Sequence, residues 1–454
     1  MACCMLRLYR SGGPLYHAAA RRRLSIGTSA PSRKERLRRR HYQMDGSREK
    51  VQDHGGKIVI LTGPTAVGKT ELALRLAEQL DGEIISADSV QVYRGLDVGS
   101  DKIPVPERRG IRHHMIDILD VTDDFSAGAF YEQGRQIADD ILRRGKTPIV
   151  AGGTGFYLHW FINGKADVPE SERQWQEKAM QMIRDAIERN AGGEESSEEE
   201  RWEAACRLLD ELGDTESADR LRGNRNNWYR LRRAVEIVAR TGQPMSSMDV
   251  DLTRDLDYDF RCFFLFRDRQ DLYRRIDRRV EQMFIEGILP ECGHLLASGL
   301  TAGSHNSTRG IGYRQGMEML QAVLEESRPI SEEDIEDTVR KIWTATHTLV
   351  KRQMTWFRGY DLFRWVDNER PWPEVLEEIV ANCTEEHVGG NSSDFDMSKE
   401  QIKEMRRYDM RFEVLNDPEK MSATVKVANE VLSGLRSQRD ARQSEPAVPA
   451  SDGS

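Results

Sequence analysis

Apolar residues in the first third of the chain come as short continuous runs. "KIVILT" (57–62), "EIISA" (83–87) and "KTPIVA" (146–151) each end in glycine or small polar residues. Runs of this length, bounded by turn signals, predict strands buried on both faces of a parallel sheet. After the first run, Leu72, Leu76 and Leu80 recur at helical spacing beside Ala73 and Ala77, and Gly82 closes the segment. That is one apolar stripe of a helix with its C-terminal stop. Strand–helix alternation with glycine turns after the strands predicts an α/β fold, a parallel sheet with helices on both faces.

The pattern changes near Lys165. Strand-like runs vanish until "FRCFFLF" (260–266), and the interval is helical, charged and rich in Trp, broken by "NAGGEESSEEE" (190–200). This predicts a helical insertion with a solvated acidic loop. Beyond it, helices are expected over 270–287 and from Ser331 to about Phe357, the latter opened by Ser331 and Asp334 as a variant capping box. "EEHVGGNSSDFD" (385–396) reads as a linker, followed by one or two short charged helices and a Pro/Ser tail. The expected organisation is a leader (1–50), a core (51–164), a helical insertion (165–250), core completion with further helices (251–384), and an extension (385–454).

Charge sharpens the boundary at the leader. Residues 1–44 hold eleven Lys/Arg and one acid, Glu35, so the formal −9 of the whole chain leaves about −19 on the remainder. An Arg-rich, Ser-bearing, almost acid-free start has the composition of an organelle transit peptide, and import into a mitochondrion or plastid is expected. The acidic body argues against non-specific nucleic-acid binding but leaves room for a local basic groove. No apolar run approaches the ~18 residues of a membrane span. Six cysteines are scattered at 3, 4, 206, 262, 292 and 383 with no CxxC pair, so neither a zinc cluster nor a disulfide framework is indicated.

The candidate chemistry starts after the first strand. Gly63-Pro64-Thr65-Ala66-Val67-Gly68-Lys69-Thr70 fits G-x-x-x-x-G-K-[ST] between a strand and a helix, the context of a P-loop. Its glycines let backbone N–H groups surround a phosphate at a helix N-terminus. Lys69 supplies a point charge and Thr70 a hydroxyl for Mg²⁺. The loop itself accepts a nucleotide or a simple diphosphate. Asp88 follows "EIISA", at the carboxyl end of what reads as a strand neighbouring the P-loop strand. It is either a metal ligand or general base, or simply a helix cap. Thr154 lies in the "GGTG" turn after a further strand. His113 and His114 are adjacent, so their side chains diverge, and they read as structural or lid residues.

Longer stretches carry a resemblance. "GPTAVGKT", "GEIISADSVQVYRGLDVGSDK", "RHHMID", "FSAGAFY", "RGKTPIVAGGTGFYL", "NNWYRLRRAVEIVARTGQPMS", "RIDRRVEQMFIEGILPE", "STRGIGYRQGMEML" and "TLVKRQMTWFRG" run in order over about residues 57–360. Together they resemble the tRNA dimethylallyltransferases (tRNA isopentenyltransferases). The resemblance implies that the P-loop holds dimethylallyl diphosphate rather than ATP. It implies transfer of the prenyl group to N6 of adenosine 37, in tRNAs whose anticodon loop reads A36-A37-A38. It assigns the general base to Asp88, diphosphate contact to Lys69, Thr70 with Mg²⁺, and Arg279, and a site role to Thr154. It places tRNA on Asp88-Ser89-Val90-Gln91, on Tyr229, Arg230 and Arg233, on the loop of Arg309, and on the face with Thr344, Thr348, Lys351 and Arg352. A monomer is expected. The opposite stripe of that last helix, Ile342, Ala345, Leu349 and Trp356, reads as core.

Three departures stand out: Asn227 where the family often has Asp, "GSDK" (99–102) for the commoner "GTAK", and no C-terminal Cys₂His₂ finger, since residues 361–454 hold one Cys and one His. The last points to the organelle-type plant and algal members. The substitution in "GSDK" reads as minor. Three other functions compete: an adenylate isopentenyltransferase acting on free AMP, ADP or ATP, an ordinary P-loop kinase, and a non-catalytic RNA-binding protein. The insertion and the "KRQMTWFRG" segment favour tRNA over free nucleotide. No tandem-acid strand end supports a kinase, and the intact Lys69, Thr70 and Asp88 speak for catalysis.

Overall fold

The computed structural model describes residues 55–165, 168–169, 171–193, 196–223, 227–248, 256–384 and 408–444. The leader, the linker over 385–396 and the tail beyond 444 lie outside them.

Among the described residues six strands, β1 (Gly55–Thr62), β2 (Gly82–Ser86), β3 (His113–His114), β4 (Thr147–Ala151), β5 (Tyr258–Phe266) and β6 (Arg364–Asp367), form one sheet. All pairings are parallel and the order is β3-β2-β4-β1-β5-β6. One expectation is corrected here. The Asp88 strand, β2, is not beside the P-loop strand: β4 lies between them. The chain passes from β1 through helix α1 (Lys69–Gln79) to β2, and β4 later inserts between the two. β3 and β6 have two and four residues, too short to display a run. Helices α2 (Ala127–Arg143) and α3 (Gly155–Asn163) flank β4 in the chain.

The insertion comprises α4 (Arg173–Ala191), α5 (Glu198–Glu211), α6 (Thr215–Arg222) and α7 (Trp228–Thr241). Ile183, Trp202, Leu209, Leu231 and Val235 gather in a small core of its own, with Trp202 edge-on to Trp228 at 5.0 Å. Ser197 and Glu200 form a reciprocal capping box on α5, and the Asn227 side chain caps α7 by accepting from Arg230 N.

The C-terminal half adds α8 (Arg269–Glu286), α9 (Ile288–Ala297), α10 (Tyr313–Glu326), α11 (Glu332–Arg358), α12 (Trp372–Thr384) and α13 (Pro418–Ser444). The extension differs from the expected short helices: α13 runs 27 residues and belongs to the main core. Its buried residues Met421, Ala428 and Leu432 recur at helical spacing, but Thr424 interrupts the stripe and obscures it in sequence. Among the described residues no helix is long and apolar enough to cross a membrane.

Candidate active site

The P-loop is held open by its backbone. Gly63 has φ 152°, Ala66 61° and Gly68 101°, values that glycine adopts without the penalty a side chain brings. A Cβ on Gly63 would meet Leu265 O at 2.6 Å, and one on Gly68 would meet Asn368 Nδ2 at 2.9 Å. The same Asn368 donates to Val67 O at 2.6 Å, so the far end of the sheet fastens the loop. Lys69, the first residue of α1, donates from Nζ to Gly63 O (3.0 Å) and Pro64 O (2.7 Å). An ammonium has three N–H donors, so one remains for a ligand. Burial pushes the Lys69 pKa down to about 8, opposed by the nearby charges of Asp88 and Asp101.

Asp88 reconciles the two roles left open by its sequence position. Its Oδ1 accepts from Val90 N (2.8 Å) and Gln91 N (3.3 Å), which is the capping role. Among the described residues Oδ2 takes no hydrogen bond, and Asp88 lines a cleft of about 210 Å³ together with Thr65, Ala66, Lys69, Thr154 and Arg279. Burial raises the Asp88 carboxyl above the ordinary range, against the pull of the two amides and Lys69. A partly desolvated carboxylate with one free oxygen is suited to take a proton. The "GGTG" turn separates it from the P-loop. A Cβ on Gly152 would lie 2.3 Å from Ala87 O, so only glycine lets β4 pass this close to the Asp88 strand. Thr154 is buried and makes no side-chain cap bond to α3, which leaves its hydroxyl for the cleft it lines.

Arg279 enters from α8. Its Nη1 pairs with Asp101 Oδ1 at 2.8 Å and its Nη2 donates to Val98 O at 3.1 Å. The change in "GSDK" is therefore not minor: it puts a carboxylate in the cleft and onto the site arginine. The loop carrying Asp101 is tightly held. Glu291 accepts from the amides of Asp97, Val98 and Gly99 at 2.8, 2.8 and 3.1 Å, and from Tyr313 Oη at 2.7 Å. Buried Lys102 pairs with Asp97 and Asp117, each at 2.6 Å. Gln91 donates to the carbonyls of Ser100 and Asp101.

Apolar side chains make up much of the remaining cleft wall, and sequence reasoning missed them. Ile276, Val280 and Met283 of α8 and Ile342 and Leu349 of α11 line it, with Thr346 and Gln353 on the same α11 face. Ile342 fits the expected core stripe, being buried in the main core while also bordering the cleft, whereas Leu349 of the same stripe is only partly buried. A helical stripe facing a ligand has the same periodicity as one facing a core, so the pattern alone does not separate them. Gln353 anchors the face by donating to Gly153 O at 2.9 Å.

The residues assigned to tRNA fall into two groups. Ser89, Val90 and Arg309 line the cleft. The Arg309 guanidinium lies 5.0 Å over the Tyr229 ring, with Arg232 at 5.4 Å, so the insertion meets the active-site loop through stacked cations. Arg233 is committed elsewhere: it sits 2.8 Å from the fully buried carboxylate of Glu236 and donates to Pro169 O. Thr344 and Thr348 turn their hydroxyls back onto carbonyls one helical turn earlier, while Lys351 is exposed. His114 is bound to Glu83 at 2.8 Å and His113 to Ile111 O at 2.9 Å, both structural contacts.

Thr70 is exposed on the first turn of α1 and is not among the cleft-lining residues. Among the described residues no three His, Cys, Asp or Glu side chains gather to hold a metal by themselves. One hydroxyl beside the P-loop fits Mg²⁺ only when phosphate oxygens and water complete its shell, the usual situation for this ion.

Comparison with known proteins decides the family. The family model described as IPP transferase matches residues 91–360, and one described as isopentenyl transferase matches 56–123. The chain is 39% identical over 390 residues to tRNA dimethylallyltransferase 9 of Arabidopsis thaliana, covering 79% of each chain. It is 37% identical over 330 residues to the tRNA dimethylallyltransferase of Protochlamydia amoebophila, covering 72% of this chain and 89% of that one. The chain belongs to the tRNA dimethylallyltransferase family. A solved structure described as a eukaryotic dimethylallyltransferase acting on tRNA superposes with a TM-score of 0.54 at 26% identity, over 69% of this chain and 74% of that one. The expected α/β fold, prenyl-transfer activity and tRNA substrate class of a tRNA dimethylallyltransferase thus stand together.

Proposed function

We propose that this tRNA-modifying transferase moves the dimethylallyl group of dimethylallyl diphosphate to N6 of adenosine 37, in tRNAs reading A36-A37-A38. The observation that carries the donor is the mixed lining of one cleft, which brings Thr65, Ala66, Lys69 and Arg279 together with Ile276, Val280, Met283, Ile342 and Leu349. A prenyl diphosphate needs both kinds of lining. In the reaction the N6 lone pair attacks C1 of the dimethylallyl group as the C1–O bond breaks. The bonding pair leaves with diphosphate, and the N6 proton passes to Asp88 Oδ2. The charge growing on the leaving oxygen is met by the third N–H of Lys69, the P-loop amides and Arg279. Thr70 would be the residue to hold Mg²⁺ together with the donor, and the ion would supply further neutralisation of the leaving group. Thr154, from its place beside Asp88, orients the amine or the diphosphate.

Adenosine 37 must leave its stack to reach Asp88, which costs a few kcal/mol. Contacts from Ser89, Val90, Gln91, Arg309 and Tyr229, and phosphate contacts from Arg230, Lys351 and Arg352, offset this. Thr344 and Thr348 flank that basic face. The test is single-turnover transfer with Asp88→Asn: the reading expects donor and tRNA to bind and the chemical step to fail.

Residues 1–44 are proposed to direct import into a mitochondrion or plastid and to be removed there, and the mature chain to act as a monomer. A fusion of the segment to a fluorescent reporter tests the first; a diffuse cytosolic signal contradicts it. Sedimentation of the mature chain tests the second.

A further inference from the structure

The arginine of the active site sits on a helix whose opposite side is gripped by the C-terminal extension. On α8, Ile276, Arg279, Val280 and Met283 form the stripe that faces the cleft. Asp277 and Glu281 lie about a third of a turn or more from the middle of that stripe, off the cleft-facing side. Both are buried, Asp277 at 3% exposure and Glu281 at 0%.

What buries them is the segment before α13. The Glu281 carboxylate accepts three successive amides, Glu413 N (3.0 Å), Val414 N (2.8 Å) and Leu415 N (2.6 Å). Tyr408 Oη donates to Asp277 Oδ2 at 2.7 Å. The ring of Phe412 packs on Trp343 of α11 at 4.8 Å, and Trp343 Nε1 donates to Asp277 O at 3.0 Å. His347 Nε2 lies 2.9 Å from Asp277 Oδ1 but out of line for a hydrogen bond. Helix α13 then locks the segment down: Asn429 exchanges two hydrogen bonds with Ile330, and Val431 packs where a side chain on Gly293 would clash at 2.4 Å.

We propose that residues 408–415 position the active site, holding α8 so that Arg279 meets the donor diphosphate. The three amides and the Tyr408 hydroxyl fix both carboxylates, so the segment restrains α8 on the side away from the cleft. Small displacements of a positioning group cost large factors in rate. Asp277 and Glu281 are positioning residues here; neither touches the substrate. The proposal rests on the assignment of Arg279 to the diphosphate.

The test uses full-length protein carrying Tyr408→Phe, which removes one hydroxyl and keeps the packing, and the pair Tyr408→Phe/Phe412→Ala. Thermal melting reports the folded fraction. The pair is expected to lower kcat/KM for dimethylallyl diphosphate about tenfold, with Tyr408→Phe alone lowering it less, while Kd for tRNA stays within about twofold. In an Arg279→Ala background the same pair is expected to have little further effect, because both changes act through one group. Unchanged donor kinetics in folded protein, or an equal loss in both backgrounds, would overturn the proposal. Arg279→Ala with an unaltered donor KM would instead remove the diphosphate assignment beneath it.

Discussion

Arg279 and Asp101 form an ion pair, Nη1 to Oδ1 at 2.8 Å, inside the cleft that also holds Lys69. Before an anionic donor arrives, the arginine is already oriented by a carboxylate. The donor must then compete with that carboxylate and tolerate its charge. Asp101 has φ 55°, a conformation Asp and Asn accept better than most residues, so Asp101→Asn removes the charge without straining the loop. Asp101 is more than half exposed, which limits the effect. Donor KM should fall about two- to fivefold, the range of a partly solvated pair. Steady-state kinetics with tRNA saturating checks this; a rise in KM would mean that Asp101 supports the site.

Asp88→Asn separates the two jobs of one side chain. The amide oxygen still accepts from Val90 N and Gln91 N, so melting temperature should hardly move. The lost basic oxygen should lower kcat by about 10²–10⁴. Rapid-quench measurement of the chemical step reads this directly, and a near-normal rate would remove Asp88 from the mechanism.

Lys69 sets an alkaline limit. Its charge is needed for the diphosphate and is present below the site pKa of about 8. As pH rises through that value the free enzyme loses the charge, so kcat/KM for the donor should decline above about pH 8. Bound diphosphate favours the ammonium, which moves the corresponding limb of kcat to higher pH. A kcat/KM profile flat well beyond pH 9 would contradict the assignment. Asp101→Asn should shift the limb to lower pH, because Asp101 raises the Lys69 value.

Two basic side chains read alike in sequence should behave differently. Arg233→Ala removes the ion-pair partner of the buried Glu236 carboxylate and leaves it only the Ser171 hydroxyl, a loss of up to about 3–5 kcal/mol. Its main effect should be a lower melting temperature. Lys351→Ala, on an exposed face, should leave stability unchanged, raise KM for tRNA and flatten the dependence of binding on salt. Melting curves and tRNA titrations at two salt concentrations separate the cases.

Much of the fold and of the P-loop is legible in the sequence. The strands β1, β2, β4 and β5 show as apolar runs because both faces of a parallel sheet are buried. The P-loop shows because phosphate binding demands a fixed glycine spacing. Strand order was not legible: nothing local to "EIISA" reveals that β4 slips between it and the P-loop strand. The apolar wall of Ile276, Val280, Met283, Ile342 and Leu349 shares its period with an ordinary core stripe. Arg233 and Lys351, both assigned to tRNA, differ in what tertiary structure sets beside them: a buried carboxylate for one and solvent for the other. The grip of Glu281 on residues 413–415 joins positions 132 to 134 apart, and backbone amides leave no trace in sequence.

A cleft that joins a prenyl diphosphate to an adenosine held in tRNA should discriminate sharply between tRNA and free nucleotide. The most direct measurement offers the enzyme dimethylallyl diphosphate labelled in its prenyl group, with tRNA and AMP supplied in parallel. The account predicts label in the tRNA, recovered on digestion as N6-isopentenyladenosine at position 37, and a kcat/KM for AMP lower by well over about tenfold, since AMP cannot use the contacts of the insertion and α11. Label entering AMP as readily as tRNA, or recovered at another nucleotide, would contradict it.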